Sequence, residues 1–416
     1  LTPGTHDDPF RLLQALPGVA MTPEYSPSAG DVAIRGAAPG DNRFFLDGVE
    51  LPYLYHFNQY ASVLHTRLLD ELALYPSTFG AAYGNATGAV IDAKTVSDIP
   101  EAAEGGVNFN AIMLGGRYRK PLGERKAISI AGRRSFLDWI NGGSEGQYVV
   151  WPRFSDHFVR HQNSADPDHR SAWLLMGSTD RYDRYVGEPE LLNPVEQEAN
   201  PVFSFERGYE VVAWQRHDGG LDYERDAVVA LVVDRWIGSM PDAEQARTTY
   251  EFQYREDGLL RLGDDIQLAA GTDLQASRTD RVATTSKAWA ELEREAPMLA
   301  RGLSVDETLQ RARGGIYGEL RLDSGPVRWL PGVRVDGDTL SGNVTIDPRA
   351  GVQWRPWDQL AFRGAVGRYH RFPTIDQLSP STGDRSAAHR LTDGAAELGE
   401  RARVGGEVAD VGLDVV

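Results

Sequence analysis

Two groups of side chains have types and spacing that could bind a ligand or act on one. Asp41, Asn42 and Arg43 are followed closely by Tyr53, Tyr55, His56, Phe57, Asn58 and Tyr60. An aromatic-rich stretch with few charges suits stacking on a flat or sugar-like ligand, and it equally suits packing against a neighbouring wall. His157 and His161 share one face of an alternating stretch. Two histidines alone seldom make a metal site, and solvation of a polar inner face accounts for them. Gly132-Arg133-Arg134-Ser135 lacks the glycine pattern of a nucleophile elbow. No glycine-rich phosphate loop or metal-hydrolase motif is present, and the absence of cysteine removes thiolate catalysis, disulfides and Cys-based metal sites. The chemistry expected is therefore binding, with no catalytic residue, metal or cofactor.

Composition narrows the class. The chain has 416 residues, of which 41% are hydrophobic, and a mean hydropathy of −0.39. No run approaches the ~18 apolar residues of a membrane-spanning helix. That says nothing against a transmembrane β-barrel, whose strands alternate apolar and polar positions. The net charge of −17 comes without a basic cluster, so the electrostatic footprint of nucleic-acid binding is missing. The chain begins at Leu1 without a visible signal peptide, and it is expected to be a piece of a longer protein.

The elements that must position the candidate residues fall into two regions. Residues 1–100 have mixed character. Asp7 or Asp8 caps a helix with Pro9 in its first turn and Phe10, Leu13 and Leu16 as its stripe, and Pro17-Gly18 ends it. Val32-Ala33-Ile34 and Phe44-Phe45-Leu46 are short strands, stopped by Arg35-Gly36 and by the hairpin pair Asp47-Gly48. A second helix is expected near Thr66–Glu71. A tight glycine-rich loop covers 80–88, and a strand follows from Ala89 to Thr95. From about residue 105 the period becomes two. Thr248, Tyr250, Phe252 and Tyr254 fall opposite Arg247, Thr249, Glu251, Gln253 and Arg255, and Tyr223, Val229, Leu231 and Val233 fall opposite Asp222, Glu224, Asp226 and Asp234.

A soluble sandwich also alternates, so the connections carry more weight. Short ones near residues 123–124, 165–168, 218–220, 257–258, 323–326 and 356–358 alternate with longer ones near 137–151, 180–201, 237–244, 277–311, 337–346 and 372–400. Outer-membrane barrels alternate in this way, and about fourteen strands fit between these connections. Trp139, Trp151 and Trp236 fall near the long ends, and Trp214, Trp329, Trp354 and Trp357 near the short ends, as two interfacial belts would. The segment 287–301, with Trp289, Leu292, Ala296 and Leu299 at helical spacing, is expected to be an amphipathic helix in a long outer loop.

Four short motifs now read together. Leu16-Pro17-Gly18-Val19, Ile34-Arg35-Gly36, Leu46-Asp47-Gly48-Val49 and Tyr83-Gly84 through Gly88-Ala89-Val90-Ile91 resemble, in this order, the plug domain of TonB-dependent outer-membrane receptors. One departure is Ala89, where that family usually carries a second glycine. Pro331–Asp336, Ile346–Arg349 and Gly367–Pro373 resemble stretches of the receptor barrel. The resemblance implies a mainly β protein: a small α/β plug domain (1–100) inside an antiparallel transmembrane β-barrel (105–416). It implies Arg35, Gly36, Asp47, Gly48, Gly84 and Gly88 as structural positions of the plug, and Arg35 as a partner for wall carboxylates such as Glu206, Glu210, Asp222 and Glu224. Plugged transporters have 22 strands, so a barrel of about fourteen is expected to be truncated.

The family implies a function as well. A scarce, large ligand of siderophore, vitamin or oligosaccharide type binds from outside. TonB then pulls an N-terminal box, which would lie before Leu1, using inner-membrane proton-motive energy. The implied location is the outer membrane of a Gram-negative bacterium, with TonB, lipid and an extracellular ligand as partners and no nucleic acid. Two other readings stand beside this one: an outer-membrane adhesin or surface-assembly protein reusing the receptor fold, and a soluble β-rich binding module.

Overall fold

The computed structural model describes Leu13, Leu16 and residues 18–21, 32–56, 61–76, 78–136, 153–184, 203–240, 243–284, 305–357, 360–375 and 410–415. The first helix, Phe57, Asn58, Tyr60, Trp139, Trp151 and the segment 287–301 lie outside these residues, apart from Leu13 and Leu16.

The N-terminal region builds two small sheets. β1 (Val19–Met21) pairs with β2 (Val32–Ile34). A mixed four-stranded sheet has the order β4-β3-β6-β5, from β3 (Arg43–Leu46), β4 (Val49–Glu50), β5 (Leu69–Tyr75) and β6 (Val90–Thr95). β3 and β4 are joined by Asp47-Gly48 at φ +49 and +83, the positive values that a two-residue hairpin turn demands. A side chain at Gly48 would also meet Val228 Cγ2 at 2.9 Å. The helix expected at 66–71 is a single 3-10 turn, Thr66–Leu68, running straight into β5. Leu69, Leu72 and Leu74 pack against the core cluster along that strand, whose pairing with β6 shifts register between Leu69 and Glu71.

The rest of the chain forms one antiparallel sheet of fourteen strands in sequence order. The wall opens with β7 (Glu104–Phe109), β8 (Met113–Pro121), β9 (Lys126–Ser135), β10 (Arg153–Asp166) and β11 (His169–Arg184). It continues through β12 (Phe203–Gly219), β13 (Tyr223–Met240), β14 (Ala243–Arg261), β15 (Ile266–Thr284) and β16 (Val305–Ser324). It ends with β17 (Val327–Asp338), β18 (Asn343–Trp357), β19 (Leu360–Gly367) and β20 (Asp410–Val415). β7 and β20 are the two edges and do not pair with each other. A single sheet wrapped around a small domain is not a sandwich, which needs two facing sheets.

The connection expected to be long at 237–244 is mostly strand: β13 reaches Met240, β14 starts at Ala243, and the two residues pair. Likewise Asp338 pairs with Asn343, which leaves a tight hairpin where 337–346 was expected to be a loop. β12 to β16 hold 17 to 20 residues, about twice the 9–11 needed to cross a bilayer.

The outward face carries exposed Trp173, Leu175, Val212, Tyr223, Leu231, Phe252, Leu274, Ile316, Val333 and Ile346, with Trp329, Trp354 and Trp357 toward the short turns. Trp236 differs from its expected place in an outer belt. It turns inward and packs edge-on against Phe205, 5.3 Å between ring centroids. Inside, one core cluster joins Val32, Ile34, Leu46, Val49, Leu64 and Ile91 to Phe158, Leu174, Met176, Tyr209, Val211 and Val232 of the wall. The small domain thus shares its hydrophobic core with β9 to β13.

Candidate functional site

Between β2 and β3 the chain turns through a 3-10 segment, Pro39–Asp41. Asn42 is 3% exposed and ties the sheets together: its Nδ2 donates to Val32 O at 2.6 Å and its Oδ1 accepts from Ala89 N at 2.8 Å. A side chain at Gly88 would overlap that Oδ1, which explains the glycine. Asp41 lies more open, 3.3 Å from Arg371, and Asp41 O accepts from Thr87 N and Gly88 N. Arg43 meets Glu50 at 3.2 Å. Glu50 also takes Gln275 Nε2 at 2.7 Å and Arg313 at 3.3 Å from the wall. Burial would raise the Glu50 carboxyl, but Arg313 and Arg43 hold it below the ordinary value. Asp47 bonds Thr95 N at 2.8 Å and Thr95 Oγ1 at 2.6 Å, and meets Arg160 of β10 at 2.6 Å. Arg35 is held at φ +51, with its N–H on Gly18 O at 2.6 Å.

Tyr53, Tyr55 and His56 are all buried against the wall. Tyr53 lies under Arg207, 4.0 Å from the ring centroid, and its hydroxyl meets Ser178 Oγ at 3.1 Å. His56 is fully buried between two wall carboxylates, with Nδ1 2.6 Å from Asp180 and Nε2 3.1 Å from Asp156. Behind them Arg133 meets Asp156 at 2.8 Å and donates to Ser62 O, while Arg207 meets Asp180 at 2.9 Å and donates to Tyr55 O at 2.6 Å. Burial alone would lower the imidazole pKa. The two carboxylates outweigh it and hold His56 above its ordinary value.

A second set of wall arginines grips the glycine-rich loop. Arg349 donates to Gly80 O at 2.6 Å and Tyr83 O at 2.7 Å, and lies 4.4 Å from the Tyr369 ring centroid. Arg334 is fully buried, bonds Asp336 and Asp273, and reaches Ala82 O at 3.3 Å. It fills the space where a side chain at position 84 would stand, so only Gly84 fits. Arg255 stacks near Tyr83 and Phe45.

Several residues fall elsewhere than expected. Glu206 and Glu210 alternate with buried Phe205, Arg207, Tyr209 and Val211, so they face outward and are not lumen partners for Arg35. His157 and His161 are also on the outer face, and His157 pairs there with Glu210 at 3.0 Å. The reason is the plug. Where it packs against the wall, the inner face buries large apolar residues beside paired charges, and polarity alone no longer marks the inside. Asp336, Asp347 and His370 place three possible metal-ligand atoms within 4.8 Å. Arg334 already binds Asp336 at 2.8 Å and His370 binds Asp347 at 2.5 Å, so both carboxylates have partners.

On the long-connection side, Arg43, Glu50 and Tyr53 reach a cavity of about 730 Å³, completed by wall residues including Arg207, Arg247, Arg281, Arg313 and Trp236. In the sequence Trp236 stood out only as a belt residue and Arg247 only as one face of an alternating strand, and Arg207, Arg281 and Arg313 did not stand out at all. The signal that could have found them is parity combined with position: each lies on the inner face toward the long-connection end of its strand.

A family model described as "TonB dependent receptor-like, beta-barrel" matches residues 109–404, and a "TonB-dependent Receptor Plug Domain" model matches residues 7–90. Among solved structures, the chain is similar to the siderophore receptor PirA of Pseudomonas aeruginosa, at 13% identity and a TM-score of 0.64 over 91% of this chain and 62% of that one. A mutant of the ferric enterobactin receptor PfeA of the same organism gives 14% and 0.66, over 91% and 61%. The FrpB iron transporter of Neisseria meningitidis gives 15% and 0.63, over 88% and 62%. The chain thus spans just over three fifths of the length of these structures, and at such identities the likeness is one of fold. No curated protein matches.

Proposed function

The chain belongs to the TonB-dependent receptor family, and from that premise we propose that it is an outer-membrane receptor that takes up a scarce, large ligand of siderophore, vitamin or oligosaccharide type. TonB supplies the energy, drawing on the inner-membrane proton gradient. The observation that carries this reading is the way the plug is held. It shares a hydrophobic core with one side of the wall, and wall arginines grip it through backbone carbonyls and its own Glu50. Charge-assisted bonds of this kind are strong while dry and weaken once water enters. A plug seated in this way is stable at rest and can be released by a pull. Ligand contact is assigned to the plug surface facing the long connections, where Arg43, Glu50 and Tyr53 line the cavity.

Uptake decides the matter. Cells lacking this gene should lose transport of one ligand from a panel of iron–siderophore complexes, cobalamin and oligosaccharides. Cells lacking TonB should lose the same transport. The solved neighbours named as siderophore receptors make iron the first arm to run. Uptake of every panel member at parental rates in the deletion strain would refute the transporter reading.

A further inference from the structure

The cavity on the long-connection side has a charge opposite to that of the molecule. It is lined by Arg43, Arg207, Arg247, Arg281 and Arg313 against Glu50, Asp234 and Glu251, a formal excess of two positive charges. The whole chain carries 43 basic and 60 acidic residues, for a net −17. Chance sampling of that composition would line a cavity with more acids than bases.

The five side chains are only 9 to 30% exposed, and partly dry cations close together are costly without anions to balance them. The imbalance is felt at Arg43. Burial lowers its guanidinium and Glu50 opposes this, while Arg313, Arg371 and Arg311 push it down further, to about 10. Neighbouring Arg311 is 8% exposed. Its Nε holds Asp338 at 2.5 Å, and its Nη2 has no hydrogen-bond partner among the described residues. Arg207 and Arg313 are committed to Asp180 and Glu50. Arg247 and Arg281 have long ion pairs, 3.4 Å to Asp234 and 3.7 Å to Glu307. Both guanidiniums line the cavity.

We infer that this cavity takes a small polyanion, a molecule bearing two or more carboxylate or phosphate-like oxyanion groups, in preference to a neutral sugar or a cation. The inference names the substrate class of the receptor proposed above and rests on that reading. Because the outer field of an acidic protein repels such a ligand, binding must come from short-range guanidinium contacts inside the cavity.

The test uses the full-length protein in detergent and isothermal titration with citrate, pyrophosphate and, as a neutral probe of similar size, maltotriose. Citrate or pyrophosphate should bind and maltotriose should not. Affinity should fall as sodium chloride rises from about 50 to about 500 mM. Arg247→Gln and Arg281→Gln should each weaken binding about tenfold, and Arg281→Lys should recover part of the loss. Heat-modifiable electrophoretic mobility verifies that each variant is folded, and the salt series on the unaltered protein does not depend on any variant. Equal binding of maltotriose, or anion binding unmoved by both glutamine variants, would overturn the inference. So would failure of both anions to bind folded protein at about 10 mM. None of these results alters the uptake and TonB experiment, so the transporter reading stands or falls separately.

Discussion

His56 is a buried ring with a carboxylate on each nitrogen, and it can satisfy both only as the doubly protonated cation. Its neighbours from every packed strand are charged: Arg133 on β9, Asp156 on β10, Asp180 on β11 and Arg207 on β12. Its folded value is raised, so the stability it contributes is fully present below its unfolded value of about 6.5 and is lost as pH rises through the folded value. Hydrogen exchange in residues 51–56 and 61–65 is therefore expected to be slower at about pH 6 than at about pH 9, after correction for intrinsic rates. His56→Asn can donate to only one of the two carboxylates. It should loosen the plug by about 3–5 kcal/mol and flatten the pH response. An unchanged pH response in that variant would remove the ring from this role. The sequence shows His56 as one member of an aromatic stretch. Its partners lie 100 and 124 positions away, and nothing local marks them.

At the scale of elements, the loop 79–84 and the wall strands β17 and β18 make a clamp whose two arginines differ in kind. Arg349 serves carbonyls and ring faces, and its one carboxylate contact is long, 3.8 Å to Asp347, which His370 already holds at 2.5 Å. Arg334 additionally neutralises Asp336 and Asp273. Removing Arg349 forfeits hydrogen bonds and stacking, whereas removing Arg334 leaves two carboxylates in a dry place. Arg349→Ala is expected to cost about 1–3 kcal/mol and Arg334→Ala about 3–5 kcal/mol. Chemical denaturation in detergent should rank them in that order, and the reverse ranking would show that the carbonyl grip dominates. Much of this element was legible. The glycine-rich loop 80–88 was expected, and the strand carrying Arg334 from the resemblance of Pro331–Asp336 to receptor barrels. The contact itself was not legible, because alternation defines two faces and does not say what lies against either. The outward placement of His157, Glu206 and Glu210 has the same cause: the inner faces of β10 and β12 are covered by the small domain, which buries Phe158, Tyr209 and Val211 beside charges such as Asp156, Arg160 and Arg207 that are paired there.

For the whole molecule, the decisive question is where lipid meets the wall. Fourteen strands were countable from period and turns. Their length was not, since β12 to β16 keep alternating well beyond the span of a bilayer. Exposure on the outer face supplies the missing information. Leu231 lies beside Val212 and Phe252, and Val333 beside Pro348, with Ile346 nearby, in an apolar band. Trp357 is at the short-turn rim of β18, and Trp354 stacks on Phe362 close by. A charge in the middle of such a band must leave water entirely, while a charge at the rim can reach headgroups and solvent. Leu231→Arg is therefore expected to destabilise the protein in bilayers by about 2–4 kcal/mol, and Trp357→Arg by about 0–1 kcal/mol beyond the loss of its ring. In aqueous solution without lipid this depth dependence has no origin, because both positions already face solvent. Urea titration of the two variants in vesicles distinguishes the cases. A large difference between them places the band in the hydrocarbon layer. Equal effects would mean that the outer face of β13 does not face lipid, and the wall would then need another partner to cover it.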